Sequence, residues 1–232
     1  MIIEAAGVAR LVRSSAGTLA ACIAITFALS SCVLRPPAPD RTVDGLQRIQ
    51  SRRVDTVYTA PGMSLAGYKR VMLDPVDVAF KKDWQRAHPE IEAADMERIR
   101  AEVASMFREV FSRELDDRGG YELAEHSAPD VLRVSASIVD LDIAAPDPRP
   151  VGVIRSYVVS PGEMTLLAEL RDSVSGAILV RAADRERGRG FGDLQIANSV
   201  TNSAEASRAF AMWAGLLRDA LDAARTPSPA SP

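Results

Sequence analysis

The feature that most constrains this chain is an uncharged, mainly apolar run near its start that ends close to a cysteine. Residues 19–29 form this run of 11 residues, and Arg10 and Arg13 precede it. A helix of this length is too short to cross a hydrocarbon core of about 30 Å. A positive region, a short apolar run and then small residues are typical of a secretion signal. We therefore predict that residues 1–31 are a signal peptide and that only the rest of the chain folds.

The end of this signal matches the bacterial lipobox, in which an aliphatic residue and two small residues precede a cysteine. Leu29, Ser30, Ser31 and Cys32 supply that pattern. The thiol of a cysteine is the strongest available nucleophile for taking up a diacylglyceryl group. We predict that the signal peptidase recognises Leu29, Ser30 and Ser31 and that Cys32 is lipidated. A plain signal with a chance cysteine and an uncleaved membrane anchor remain as alternatives.

The residue after the cysteine bears on the location of the protein. In its lipobox the chain resembles Gram-negative lipoproteins, in which aspartate at this place retains the protein in the inner membrane. Val33 stands there instead, so the resemblance implies anchoring in the outer membrane, facing the periplasm. Several acyl chains on one cysteine hold a protein stably on a bilayer. The membrane is therefore the expected first partner, reached through the lipid on Cys32.

The cysteines and the charge exclude several classes of protein. Cys32 is the only cysteine after residue 31, so neither an intramolecular disulfide nor a cysteine-based metal site is expected. Without the charged residues of the signal, 26 basic and 30 acidic residues remain, a net charge of −4. This balance argues against nucleic acid as a partner. Prolines at 36, 37 and 39 predict an extended spacer over residues 32–53, and residues 226–232 are expected to be a disordered tail.

Alternating apolar and polar residues predict a sheet. Residues 131–143 alternate up to Ile138 and then change phase, which predicts a strand with a β-bulge near Ile138 and Val139. Residues 172–176 are typical of a hairpin turn, in which Gly176 takes a positive φ. Pro75 implies an edge position or a bulge within a strand over residues 70–78. The other predicted strands are residues 54–59, 164–171 and 178 to about 186, with residues 152–159 as a further candidate.

Apolar residues that recur at intervals of three and four predict two helices. One covers residues 95–116, with Asp95 as its N-cap and Gly119-Gly120 as its stop. The other covers about residues 203–225. The order of these elements indicates an α+β fold: an antiparallel sheet of about five to six strands with two main helices packed on one face, after a cleaved signal and an extended spacer. We place a single domain at residues 54–225.

Two segments resemble a known family. They are APGMSLAGYKRVMLDPVDVAF at residues 60–80 and PGEMTLLAELRDSVSGAILVRAADR at residues 161–185. A proline-glycine pair before a Gly-Tyr-Lys strand, and the Asp-Ser and Gly of the hairpin, are similar to an uncharacterised bacterial lipoprotein family, the domain of unknown function 3313. The resemblance covers about residues 54–225. It implies no activity and carries over no catalytic residues.

Two groups of residues are candidates for an anion-binding site. Residues 188–192 (GRGFG) lie between a predicted strand and a predicted helix, but they lack the Gly-Lys-Ser/Thr ending of a phosphate loop, which favours a flexible connector. Four arginines close by could contact anionic headgroups. Asp184 and Glu186 alternate with them, which favours a solvated hairpin end. The four are Arg181, Arg185, Arg187 and Arg189.

Other candidate residues also have a plain structural interpretation. Asp140, Asp142 and Asp147 suggest a divalent cation, but no glycine-containing calcium loop surrounds them, so no metal or cofactor is expected. His88 and His126 are unpaired in the sequence and predict no catalytic base. Three aromatic residues could line a ligand groove, although helical spacing makes two of them more typical of a core. The three are Phe191, Phe210 and Trp213.

Three hypotheses about function remain. The first is a non-enzymatic binding or accessory module in the cell envelope, with an envelope protein as a possible partner. The second is a carrier of a small molecule or lipid, held in a cleft between sheet and helices. The third, a hydrolase with an unrecognised site, has the least support because no GxSxG motif is present.

Overall fold

A long central strand organises a sheet of eight strands. The computed structural model describes residues 38–143, 161–187 and 199–226, and in the described chain the sheet order is β1-β2-β8-β7-β6-β3-β5, with β4 also paired to β6. The strands are β1 (Gln47–Ile49), β2 (Thr56–Thr59), β3 (Arg70–Leu73), β4 (Asp77–Phe80), β5 (Glu122–Leu123), β6 (Val131–Ile143), β7 (Pro161–Asp172) and β8 (Ile178–Arg187).

Strand β6 keeps its apolar side chains in the core by means of a bulge. Its register against β7 shifts between Val139 and Asp142, and Asp140 adopts φ 53°. Because the shift adds one residue, the buried positions before and after it lie on the same face. This confirms the predicted bulge, with its centre just after Val139. The buried residues are Leu132, Val134, Ala136, Ile138, Leu141 and Ile143.

The sheet is mixed, so the expectation of an antiparallel sheet was wrong. Strands β7 and β8 pair antiparallel, but β3 and β4 both run parallel to β6. The predicted strand over residues 70–78 is interrupted around Pro75, which cannot donate a ladder hydrogen bond. A helix connects β4 to the part of the chain that leads into β6, and a crossover of this kind returns the chain in the same direction.

Three helices complete the described fold: α1 (Trp84–Ala87), α2 (Ala93–Ser112), which continues into a π-helical turn (Arg113–Asp117), and α3 (Ser199–Arg225). Helices α2 and α3 share one hydrophobic core with the apolar face of β6, which confirms the α+β class. The residues that they bury there include Ile99, Val103, Phe107, Val110 and Phe111 from α2, and Ala206, Phe210, Trp213, Ala214 and Leu221 from α3.

The start of α2 differs from the prediction. Its N-cap is Glu92 rather than Asp95. Asp95 lies in the first turn of the helix. Its carboxylate accepts a hydrogen bond from the backbone N–H of the N-cap residue Glu92 at 3.4 Å, as in a capping box. The stop after the helix is confirmed. A Cβ at Gly119 would lie 2.6 Å from the Leu115 carbonyl oxygen, which only glycine avoids.

The segment before β2 also takes part in the sheet. Strand β1, which lies within the predicted spacer, pairs with β2 from Gln47↔Thr59 to Ile49↔Val57. The predicted hairpin turn is confirmed, with Gly176 at φ 71°. The candidate strand at residues 152–159, the signal and the C-terminal tail beyond Thr226 lie outside the described residues. No described helix is long and apolar enough to cross a membrane.

Candidate functional site

Among the described strands, β4 leaves one edge of the sheet open. This strand pairs with β6 on one side, and no described strand pairs with its other side. The Lys81 backbone N–H donates to the Leu141 carbonyl in β6 at 3.0 Å. Since successive backbone groups of a strand alternate in direction, those of Ala79 also face β6, whereas those of Val78 and Phe80 face the open edge. The edge therefore offers backbone donors and acceptors to a partner.

A groove of about 650 Å³ runs along this edge, between β4 and the helices α1 and α2. Its apolar part is a stack of rings. The Phe80 and Trp84 ring centroids lie 4.5 Å apart, and the His88 ring stacks on Trp84 at 4.4 Å. The Trp84 indole N–H donates to the Ile143 carbonyl at 3.1 Å, which fixes the ring in place. Met96 of α2 also lines the groove.

The charged lining of the groove is mainly positive. The lining residues include three cations, Lys81, Arg86 and Arg100, and one carboxylate, Asp83. The Arg100 guanidinium lies 5.4 Å from the Phe80 ring centroid, which is within reach of a cation–π contact. A ligand that combines negative charge with apolar groups would match this combination of cations and ring faces.

Each of these cations already has a carboxylate partner. Lys81 Nζ lies 2.9 Å from Asp142, Arg86 lies 3.0 Å from Asp83, and Arg100 pairs with Glu97. The hydrogen bond to Asp142 is the main cause that raises the pKa of Lys81 above its usual value. These side chains are all at least one-third exposed. Pairs of this kind contribute little to stability, so a ligand can replace one partner at small cost.

The predicted arginine cluster lies on the face of the sheet that points away from the helices. Arg181 lies between Glu169 and Asp44, at 2.8 Å from each, and its hydrogen bonds to Asp44 and Glu169 raise its pKa. Arg185 and Arg187 both contact Glu163. The partners of these arginines thus include carboxylates of other segments, which explains why the cluster is not a free cationic surface. Arg189 and residues 188–192 lie outside the described residues.

Asp184 does not belong to a solvated hairpin end, so that interpretation was wrong for this residue. It is 7% exposed, and its carboxylate accepts hydrogen bonds from the Trp213 indole N–H at 2.7 Å and the Asp55 backbone N–H at 2.9 Å. Phe210 and Trp213 are buried in the core, as their helical spacing indicates. Phe191 lies outside the described residues.

The other candidates do not come together. Asp140 is exposed at the bulge, whereas Asp142 bonds Lys81, and Asp147 lies outside the described ranges. Among the residues with described positions, no group of three or more His, Cys, Asp or Glu could hold a metal ion. His126 is exposed, whereas His88 lies in the ring stack, where its Nδ1 is 2.9 Å from the Trp84 carbonyl oxygen. The lipobox residues Leu29, Ser30, Ser31 and Cys32 also lie outside the described part.

The groove could not be predicted from the sequence, because the segments that form it are short or far apart in the chain. Helix α1 has four residues, too few for a periodic pattern, and Arg100 reaches Phe80 only in the folded chain. One signal was available: Phe80, Trp84 and His88 are spaced by four, the spacing that brings side chains together on one turn after another of a helix.

Comparisons with known proteins give a family match. A family model described as a protein of unknown function (DUF3313) matches residues 40–217, which confirms the predicted resemblance. No curated protein matches the chain.

Several solved structures are similar. A variant of the PelC dodecamer from Paraburkholderia phytofirmans is 15% identical, with a TM-score of 0.37, and the match covers 70% of this chain and 96% of that one. A candidate lipoprotein from Caulobacter crescentus CB15 is 14% identical, with a TM-score of 0.34, covering 71% of this chain and 98% of that one. Similarity at this level says nothing about function.

Proposed function

This chain belongs to the DUF3313 family of proteins of unknown function, and we propose that it is a lipid-anchored protein of the cell envelope that works as a non-enzymatic binding or accessory module. The observation that carries the proposal is the lipobox. Cys32 follows Leu29, Ser30 and Ser31 at the end of a short uncharged run. Five residues separate this cysteine from residue 38, where the described domain begins. A lipid on Cys32 would therefore hold the domain close to the membrane surface.

The outer membrane, on its periplasmic side, is the proposed site of anchoring. Val33 occupies the position at which aspartate is the retention signal of inner-membrane lipoproteins. Three acyl chains are usual on a mature bacterial lipoprotein, and two or more suffice for stable anchoring. The protein would thus work at a fixed surface rather than by diffusion through the periplasm.

The groove beside β4 supports the role of a binding module. It brings together ring faces, free backbone groups and cations, all of which serve recognition. Such groups hold a partner in place, and none of them is by itself a nucleophile poised beside a base. We therefore propose binding without chemical conversion.

Labelling with palmitate tests the anchor, and the chain provides a matched control. Cys22 lies inside the predicted signal and Cys32 at its end. In cells given labelled palmitate, the wild-type protein and Cys22→Ser should be labelled and should sediment with outer membranes, whereas Cys32→Ser should be unlabelled. Mass spectrometry of the mature N-terminus should find a lipidated Cys32. An intact leader on a membrane-bound product, or label on Cys32→Ser, would refute lipidation at this residue.

Cross-linking in intact cells tests the binding role. The lipidated protein, purified after cross-linking, should recover the same envelope protein in replicate experiments. Recovery of no reproducible partner would count against an accessory module.

A carrier of a small molecule or lipid is the second candidate. The aromatic floor of the groove, formed by the stacked rings of Phe80, Trp84 and His88, favours it. A volume of about 650 Å³ is enough for one amphiphilic molecule. Native mass spectrometry of Cys32→Ser protein should then find one ligand consistently bound, and protein free of ligand would oppose the carrier.

A further inference from the structure

We propose that the groove beside β4 binds an extended, acidic segment of another envelope protein, which adds to the sheet as a strand at the open edge of β4. This inference rests on the proposed role as a binding module and names the chemistry of the partner. Its basis is the combination of three features in one place: an open strand edge, an apolar floor and a surplus of cations.

The open edge determines that the partner is extended. The backbone groups of Val78 and Phe80 face away from β6, and no hydrogen bond to them from the described residues is found. A strand edge with free donors and acceptors is a template for a further strand. A peptide that pairs with Val78 and Phe80 would lie along the groove, because helices α1 and α2 form its other wall.

The floor determines the pattern of side chains in the partner. Successive side chains of a strand point to opposite faces, so every second side chain of an added strand would point towards the helices. The accessible side chain that it meets there is the half-buried Phe80, because Trp84 and Met96, which also line the groove, are only 4% and 8% exposed. Phe80 and Val78 are half-buried and pack against the core. Apolar side chains at alternate positions of the partner fit these contacts.

The charge determines that the other positions are acidic. Three cations and one carboxylate line the groove. Lys81 pairs with Asp142 and Glu163 on the face of the sheet that points away from the helices, so the cations that remain for a ligand in the groove are Arg86 and Arg100. A carboxylate of the partner can therefore approach these cations from the groove, where mutually complementary charge favours association. A strand of alternating acidic and apolar residues meets all three features.

Binding of designed peptides to the full mature protein in detergent micelles tests the proposal. The probe is an acetylated, amidated octapeptide of alternating glutamate and valine with a fluorescent label, and fluorescence anisotropy gives its Kd. The same peptide with lysine in place of glutamate should bind at least about tenfold more weakly, because it repels the groove. Two further peptides carry N-methyl groups either on the valines or on the glutamates. One of them should lose about tenfold in affinity and the other should retain it, because only one edge of an added strand pairs with β4.

Two arginine variants distinguish peptide binding in the groove from binding elsewhere on the surface. Arg100 and Arg113 both pair with a glutamate of α2, and only Arg100 lines the groove. Arg100→Gln should weaken binding of the glutamate-valine peptide about three- to tenfold, while Arg113→Gln should leave it unchanged. Equal effects of both variants, or equal binding of both N-methylated peptides, would overturn strand addition at β4.

Hydrogen exchange of the free protein tests whether the edge is open. With residue-level resolution, the amides of Val78 and Phe80 should exchange fast and those of Ala79 and Lys81 slowly, and the glutamate-valine peptide should slow the first pair. Protection of Val78 and Phe80 without peptide would mean that this chain or a second copy already occupies the edge, and the proposal would fail. Since none of these measurements depends on the lipid, their failure leaves the anchored module intact, whereas loss of palmitate on Cys32 would refute the anchor alone.

Discussion

Asp184 is a buried carboxylate that joins three segments of the chain. It lies in β8, accepts a hydrogen bond from the Trp213 side chain in α3, and accepts another from the Asp55 backbone just before β2. A buried acceptor that satisfies two donors leaves neither of them unpaired. Its loss would leave the indole N–H without its partner in the core.

We expect Asp184→Asn to destabilise the domain by about 1–3 kcal/mol, because an amide that turns its NH₂ towards either donor leaves that donor unsatisfied. Urea unfolding followed by circular dichroism gives the change in free energy. Asp219→Asn is the matched control, since the Asp219 carboxylate is half-exposed and its ion-pair partners within the described residues are Arg53 and Arg218. Equal stability of the wild-type protein and Asp184→Asn would show that the Trp213 contact adds nothing.

At the scale of elements, the bulge in β6 decides which side chains reach the core. Without the extra residue near Asp140, Leu141 and Ile143 would point to the outer face, because a shift by one residue reverses a strand. The bulge requires Asp140 to adopt a positive φ of 53°. Aspartate tolerates this conformation better than most residues, and a β-branched residue does not.

This backbone requirement makes opposite predictions for two substitutions. Asp140→Gly should leave the protein equally stable or stabilise it by up to about 1 kcal/mol, whereas Asp140→Val should destabilise it by about 1–2 kcal/mol. Thermal and urea unfolding of both variants measure this difference. Since the Asp140 side chain is exposed, loss of its contacts would affect both variants alike. Equal stability of the two would therefore argue against a left-handed conformation at this position.

Local patterns of apolar and polar residues predicted the helices and strands that bury one continuous apolar stripe or face. The alternation in residues 131–143 predicted β6 and its bulge, and the three-four spacing predicted α2 to within a few residues. The hairpin followed from its turn residues, with Gly176 in the expected conformation. In these segments, the local pattern of apolar and polar residues is enough to predict which side chains are buried.

The direction of strands and the groove depend on contacts between distant segments. The strand, helix, strand order from β3 to β6 was present in the sequence, and it favours parallel pairing. The expectation of an antiparallel sheet rested instead on runs of predicted strands from which the helices are segregated. The groove needs β4, α1 and α2 side by side, and the short strands β1 and β5 form only against longer partners.

At the scale of the whole molecule, two tyrosine–aspartate hydrogen bonds connect distant parts of the domain. The Tyr68 hydroxyl donates to Asp172, at the end of β7, at 2.9 Å. The Tyr121 hydroxyl donates to Asp222, in α3, at 2.6 Å. Burial, followed by these hydrogen bonds, raises the pKa of Tyr68 to about 12 and that of Tyr121 to about 12. Both phenols therefore keep their protons to higher pH in the folded state than in the unfolded chain.

These two pKa values make global stability depend on alkaline pH. A pKa raised above the usual 10 means that the folded state holds its proton more tightly than the unfolded chain does. The resulting stabilisation is complete below about pH 10 and is lost as the pH rises through about 12, on the order of 2 kcal/mol for each tyrosine. Urea unfolding from pH 9 to 12 should show this fall in the wild-type protein, and a smaller one in the double variant Tyr68→Phe, Tyr121→Phe. If both proteins lost stability equally over that range, other groups, such as the lysines, would account for the alkaline unfolding.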